Sequence, residues 1–415
     1  MRKTIVGLDA MRFVLAVYLM VFHTIHAYPQ AETLPLIWLT DLGGFATSTF
    51  FILSGFILTH VYIDRGVALR GGTRNFLVKR LSEIYPINFV GLFLFAIVLS
   101  VSHRSFDSVL VPSMGRGFQQ TIQLTTAPAA FNWLLNVLML QVWDPRYSSI
   151  NAPSWTLGCL LFFYLCFPIV APRFARLRRR ALVLVVLWLL YLVPPLTIVL
   201  KEAYTPVPVG MIEHNPILRI PEFLSGILLY GLYSSGRLSW MLGARWRKTA
   251  AMAFVLASFV LASRLIASGP LAVLYIVHNG ALLPAELVLV ALCANAYVPQ
   301  WAHKTVSRLG NAALSIFGIH VALFELSMDG LKLMATHESI SRCLSHFSVC
   351  AASAKAIHPS MASYPIYLIA TVIAALLFQE RCFVPVRTAI RQAFVRDDRR
   401  LATPSGLSSS ARSRG

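Results

Sequence analysis

Apolar residues along this chain alternate neither with the period of a strand nor with that of a surface helix. They come in long blocks separated by short polar, often basic, segments. Ten blocks approach the ~20 residues an α-helix needs to cross a ~30 Å hydrocarbon core. They cover about residues 7–27, 43–63, 84–102, 155–171, 181–200, 217–234, 249–267, 271–297, 311–331 and 362–380. An eleventh, residues 131–142, is too short to cross and is expected to re-enter the membrane or lie at its surface. The pattern predicts an all-α fold, a polytopic transmembrane helix bundle. Residues 1–390 would form one membrane domain, and residues 391–415 a basic, disordered cytoplasmic tail. Asp9 and Arg12 interrupt the start of the first block, and no small-x-small cleavage site follows it. It therefore reads as a span and not as a signal peptide.

Composition agrees: 57% of the 415 residues are apolar and 13% charged, with a mean hydropathy of +0.67. The formal charge of +19 would suggest a nucleic-acid partner if it were spread over the chain. Topology absorbs it instead. With the N-terminus inside, 26 of the 36 Lys and Arg fall on inner segments, 7 on outer ones and 3 within spans. This places both termini in the cytoplasm and removes the case for nucleic acid. The six cysteines form no CxxC pair and no His/Cys cluster at zinc spacing, so no metal site is expected. Cys343 and Cys350 share the outer segment 332–361, where they could form a disulfide or remain two free thiols.

The first span is the chemically unusual one, because it carries Asp9, Arg12, His23 and His26. Arg12 and His23 stand 11 positions apart, about three helical turns, and so share a face with about 16 Å between them. Arg12 can extend to the inner surface, whereas His23 lies near mid-membrane, beyond the reach of either interface. A neutral imidazole there can take a proton from a hydroxyl, and an ionisable group at that depth points by default to a substrate path. The structural alternatives are a hydrogen bond from His23 to a neighbouring helix and an Asp9–Arg12 pair that only closes the helix end. His26, one turn outward, reads as an interfacial histidine.

Six stretches in order carry a resemblance. They are "LDAMRF" at 8–13, with His23 following, "FFILSGFIL" at 50–58, "RNFLVKRLSEIYP" at 74–86, "PSWTLGCLLFFYLCFP" at 153–168, "NPILRIPEFLSG" at 215–226 and "LGNAALSIFGIH" at 309–320. Together they resemble the integral-membrane acyltransferase 3 family, and within it the exopolysaccharide O-acetyltransferases of xanthan type. The resemblance implies transfer of an acyl group, commonly acetyl, from cytoplasmic acyl-coenzyme A (acetyl-CoA) to a hydroxyl of a lipid-linked or extracytoplasmic sugar. It also implies a bacterial inner-membrane enzyme, with membrane lipid, a lipid-linked glycan acceptor and polysaccharide assembly proteins as partners. His23 would be the catalytic base or acyl relay, Arg12 would face the donor, and Arg80 would bind coenzyme A phosphate. The chain departs from the pattern at Glu83, where a second arginine is usual, and at Leu160, where a carboxylate is usual. Glu83 would pair with Arg80 and oppose phosphate, leaving Lys79 and Arg74 to replace the cation.

Other polar groups within apolar blocks admit two readings each. Arg219 and Glu222, at i, i+3, either pair to hold helices together or wall the acyl or glycan path. His320 is either a packing histidine or a polar lining group. "HNG" at 278–280, followed by Glu286, could touch the acceptor, while Trp143 and Trp155, at an outer interface, suit an aromatic belt better than sugar stacking. The chain carries no nucleophile elbow, Walker loop or HExxH pair. Two rivals stand beside the enzyme: a multi-pass transporter using His23, Arg219 and Glu222, and a non-catalytic member of an assembly complex.

Overall fold

The computed structural model describes residues 4–63, 69–113, 120–336 and 357–395. Fifteen helices dominate these residues: α1 (Val6–Thr24), α2 (Gly43–Tyr62), α3 (Gly72–Val101), α4 (Thr126–Val137), α5 (Trp155–Ala175), α6 (Arg180–Leu200), α7 (Pro206–His214), α8 (Pro216–Ser234), α9 (Ser239–Leu242), α10 (Arg245–Ser268), α11 (Leu271–Ile276), α12 (Leu283–Ala294), α13 (Gln300–Ala335), α14 (Tyr364–Phe378) and α15 (Val384–Phe394). A two-stranded hairpin, β1 (Ser108–Leu110) and β2 (Thr121–Gln123), is the sheet among the described residues.

The chain is a polytopic helical bundle, with nine segments among the described residues long and apolar enough to cross a membrane. Each of the ten expected spans falls on helix, the one at 271–297 as two helices, α11 and α12, with a break between them; α8 is not one of the nine. Its 19 residues include Arg219 and Glu222, both buried, and it is enclosed by α2, α5 and α6. Two helices overrun their expected limits: α3 starts at Gly72, not near residue 84, and α13 runs for 36 residues. Hydropathy registers only the part of a helix within hydrocarbon, whereas backbone hydrogen bonds continue through polar turns beyond it. The expected tail likewise begins on a helix, since α15 continues to Phe394; residues 396–415 lie outside the described residues. So do Cys343 and Cys350.

The short block at 131–142 forms the end of α4 and a turn through Met139, which has positive φ. Its Asn132 and Asn136 turn inward while Phe131 and Leu134 stay exposed, so it lies against the bundle without crossing.

α2 is the axis of the bundle, packed on α8, α1 and α12. It meets α8 at two glycines. A Cβ on Gly55 would lie 2.1 Å from the Phe223 carbonyl oxygen, and one on Gly226 would lie 1.9 Å from that of Ile52. Only hydrogen fits at this crossing, the usual device for close helix approach in lipid. α1 packs chiefly on α13, which brings the first span's charged groups against the segment 307–320.

Between α11 and α12 the helix is broken at Asn279 and Gly280, where Gly280 has φ of 111°. The break is held from outside: the Trp188 indole N–H donates to the Gly280 carbonyl at 2.8 Å. It turns His278 and Asn279 toward the interior.

Candidate active site

His23, in the last turn of α1, is bonded to His320 of α13, with 3.1 Å from Nδ1 to Nε2. The partners of His320 fix the proton positions. Its Nδ1 faces two acceptors, the carbonyls of Ile316 at 3.1 Å and Phe317 at 2.9 Å, and must donate. For a neutral ring, Nε2 of His320 is then the acceptor, so Nδ1 of His23 donates to it. The lone pair of His23 therefore lies on Nε2. His320 is fully buried and lines neither of the two cavities next to His23; it stands behind His23, and its own carbonyl accepts from the Tyr367 hydroxyl at 2.9 Å.

Two cavities adjoin at this point. The larger, about 320 Å³, is lined by Arg12 and Leu19 of α1, by Phe50, Phe51 and Leu58 of α2, by Leu160, and at one end by Arg80, Glu83 and Arg387. The smaller, about 150 Å³, is lined by Phe22, His23, Trp155, Glu213, His214, Arg219, His278 and Asn279. Thr47, Thr156 and Phe317 belong to the walls of both. Helix α1 thus presents Arg12 and Leu19 to one space and Phe22 and His23 to the next.

At the basic end, the Asp9 carboxylate accepts from Arg12 at 2.9 Å and from the Ser307 hydroxyl at 2.9 Å. The pair is therefore part of the α1–α13 seam and also aims Arg12. Arg80 pairs with Glu83 at 2.8 Å and donates to the Tyr62 hydroxyl at 3.0 Å. Lys79 and Arg74 do not line the cavity, and Arg74 is exposed. The additional cations come from α15: Arg387, which lines the cavity, and Arg391, which pairs with Glu83 at 2.7 Å. Sequence reasoning missed both because they lie some 300 residues from Glu83 and beyond the last expected span; only the tertiary fold joins them.

In the smaller cavity the two readings of Arg219 and Glu222 meet. The pair is buried with 3.0 Å between charges. Tyr191 donates to Glu222 at 2.7 Å, and Arg219 donates to Ser48 at 3.1 Å and to Asn279 at 3.2 Å, tying α2, α6, α8 and the broken helix together. Arg219 also faces the cavity, over the Trp155 ring at 5.6 Å. Trp155 packs against His214 with ring centroids 5.0 Å apart and planes tilted by 45°, and belongs to the cavity, not to a lipid-facing belt, whereas Trp143 is partly exposed. Glu213, on α7 outside the spans, has its carboxyl pushed up to about 8 by burial, an effect that the charge of Arg219 opposes. Glu286 is buried and does not line either space. Among the described residues no group of three His, Cys, Asp or Glu is arranged to hold a metal.

The acyltransferase 3 family, described as an acyltransferase domain, matches residues 5–380. The chain is 29% identical over 138 residues to the acyltransferase MdmB of Streptomyces mycarofaciens. That stretch covers 32% of this chain and 30% of the relative, so the match spans less than a third of either protein. No solved structure matches.

Proposed function

The chain belongs to the acyltransferase 3 family, and from that premise we propose that it is a membrane O-acyltransferase of the bacterial inner membrane. It takes an acyl group, acetyl in the simplest case, from cytoplasmic acyl-coenzyme A and delivers it to a hydroxyl of a lipid-linked or extracytoplasmic polysaccharide sugar. Residues 1–390 would be the catalytic unit, working beside polysaccharide assembly proteins. The observation that carries this reading is the position of His23. Its lone pair is directed by His320, and the residue sits where an arginine-lined cavity adjoins one rich in hydrogen-bonding groups.

The excess of Lys and Arg on the segments at the arginine-lined end supports a cytoplasmic position for it. The larger cavity then admits the donor from the inner surface, with phosphates held by Arg12 and Arg80 and the thioester arm against Phe50, Phe51 and Leu160. The acceptor sugar enters the smaller cavity, where Trp155 offers a ring face and Arg219, His214 and Asn279 offer polar contacts. Nε2 of His23 takes the hydroxyl proton as the oxygen attacks the thioester carbonyl. A carbon–oxygen bond forms, the carbon–sulfur bond breaks, and the proton passes from His23 to the departing thiolate. His320 accepts from the opposite nitrogen throughout and so stabilises the imidazolium. The apolar walls keep water from the thioester.

The test is the O-acyl content of surface polysaccharide in a strain lacking the protein. Loss of a specific O-acyl group, restored by the plasmid-borne chain, supports the reading; an unchanged acyl content refutes it.

A further inference from the structure

Glu83 stands against the phosphates that the larger cavity is proposed to hold, and a carboxylate alone there would repel them. It is not alone. Arg80 pairs with it at 2.8 Å, Arg391 at 2.7 Å, and Arg387 lies 3.8 Å away, so three guanidiniums surround one carboxylate. The cluster keeps a net positive charge.

The two arginines of α15 are held differently. Arg391 donates to Glu83 at 2.7 Å, to the Lys79 carbonyl at 3.0 Å and to the Ser82 hydroxyl at 3.2 Å, which fastens α15 along α3. Arg387 faces the cavity, and its separation from Glu83 exceeds hydrogen-bond distance. Three buried guanidinium nitrogens on this cavity have no partner: Nε of Arg12, of Arg80 and of Arg387. Unpaired buried donors are costly, and three lining one cavity, two of them beside Glu83, mark a place that an anionic ligand's acceptors complete. The same cavity is also lined by Phe50, Phe51 and Leu160, with hydroxyls at Thr47 and Ser54, a mixed surface that suits the uncharged amide-bearing arm that follows such a head group.

We propose that the larger cavity ends in a phosphate cradle built from two helices, in which Arg387 of α15 joins Arg80 of α3 and Glu83 is the clasp that holds α15 in place. The ligand is the phosphate portion of a nucleotide-bearing thioester, and the inference rests on the acyl-coenzyme A reading above. An anionic phospholipid headgroup offers the same phosphate chemistry, so the test separates the two.

The full-length protein, in neutral detergent, is titrated with coenzyme A and with pantetheine, which lacks the phosphates. The wild type should bind coenzyme A more tightly than pantetheine. Arg387→Ala should weaken coenzyme A by roughly 10- to 100-fold, the scale of a lost charge-assisted contact, and leave pantetheine unchanged. Arg387→Lys should recover part of the loss, which a merely unfolded variant would not. Glu83→Arg supplies a second cavity-lining cation on α3 beside Arg80 yet removes the clasp, and should weaken binding. Gained affinity in Glu83→Arg, or wild-type affinity in Arg387→Ala, overturns the cradle while acyl-coenzyme A remains the donor. No coenzyme A binding by the wild type overturns both readings. Phosphatidylglycerol that millimolar coenzyme A cannot displace from the wild type assigns the arginines to lipid and overturns the nucleotide ligand.

Discussion

Replacing His320 with leucine leaves the core apolar and of similar volume but takes away the acceptor 3.1 Å from Nδ1 of His23. A buried N–H stripped of its partner costs about 1–3 kcal/mol, and the imidazolium formed during proton transfer loses that support as well. At about 1.36 kcal/mol per decade this corresponds to a fall in kcat of roughly 5- to 150-fold. The KM for donor and acceptor should change little, because His320 lines neither cavity. His320→Gln carries an amide oxygen near the position of the ring nitrogen and should stay within about tenfold of wild type. The assay is incorporation of radiolabelled acetyl from acetyl-coenzyme A into polysaccharide by membrane vesicles, normalised to the amount of protein in the membrane. Unchanged kcat in His320→Leu, or an effect confined to KM, would refute the orienting role.

Four further outcomes are expected. Gly226→Ala drives a methyl group into the Ile52 carbonyl and should destabilise the bundle by about 1–3 kcal/mol, read as a lower thermal midpoint in detergent; an unchanged midpoint contradicts the close crossing. Glu222→Ala leaves the buried Arg219 charge without its partner and should cost about 3–5 kcal/mol, visible as poor accumulation in the membrane. Phe317→Ala opens the wall shared by the cavities, so acetyl-coenzyme A hydrolysis without acceptor should rise; hydrolysis at the wild-type rate would contradict its barrier role. Glu213 has a folded value near 8, above its unfolded one, so the fold favours the protonated carboxyl. Stability should fall as pH rises from the unfolded value toward 8, and Glu213→Gln should flatten that slope; an unaltered slope removes Glu213 as its source.

The spans were legible because a hydrocarbon core demands long apolar runs, and α1, α2, α5 and α6 begin and end close to where hydropathy places them. The ends were less so. Where a helix leaves the hydrocarbon, as α3 does around Arg80 and α15 around Arg387, polar turns continue with no signal in hydropathy. His23 could be singled out because an ionisable group three turns from Arg12 in an apolar run is unusual in any sequence, although α1 ends at Thr24 and so holds His23 in its last turn, not at mid-span. Its partner could not, because nothing in one chain says that position 320 faces position 23; that follows from the packing of α1 on α13. The same limit hid Arg387 and Arg391, which turn Glu83 from an isolated departure into the centre of an arginine cluster. Trp155 was misplaced for a related reason: aromatic residues at span ends usually meet lipid, but α5 turns this one inward onto His214.

The Nε2 lone pair of His23 is proposed to perform the transfer between the two cavities. This role is tested by complementing a deletion strain with wild type and with His23→Ala, at equal membrane abundance, and measuring the O-acyl content of the surface polysaccharide. Wild type should restore acylation, and His23→Ala should leave it at the deletion level. Full restoration by the alanine variant would contradict the role.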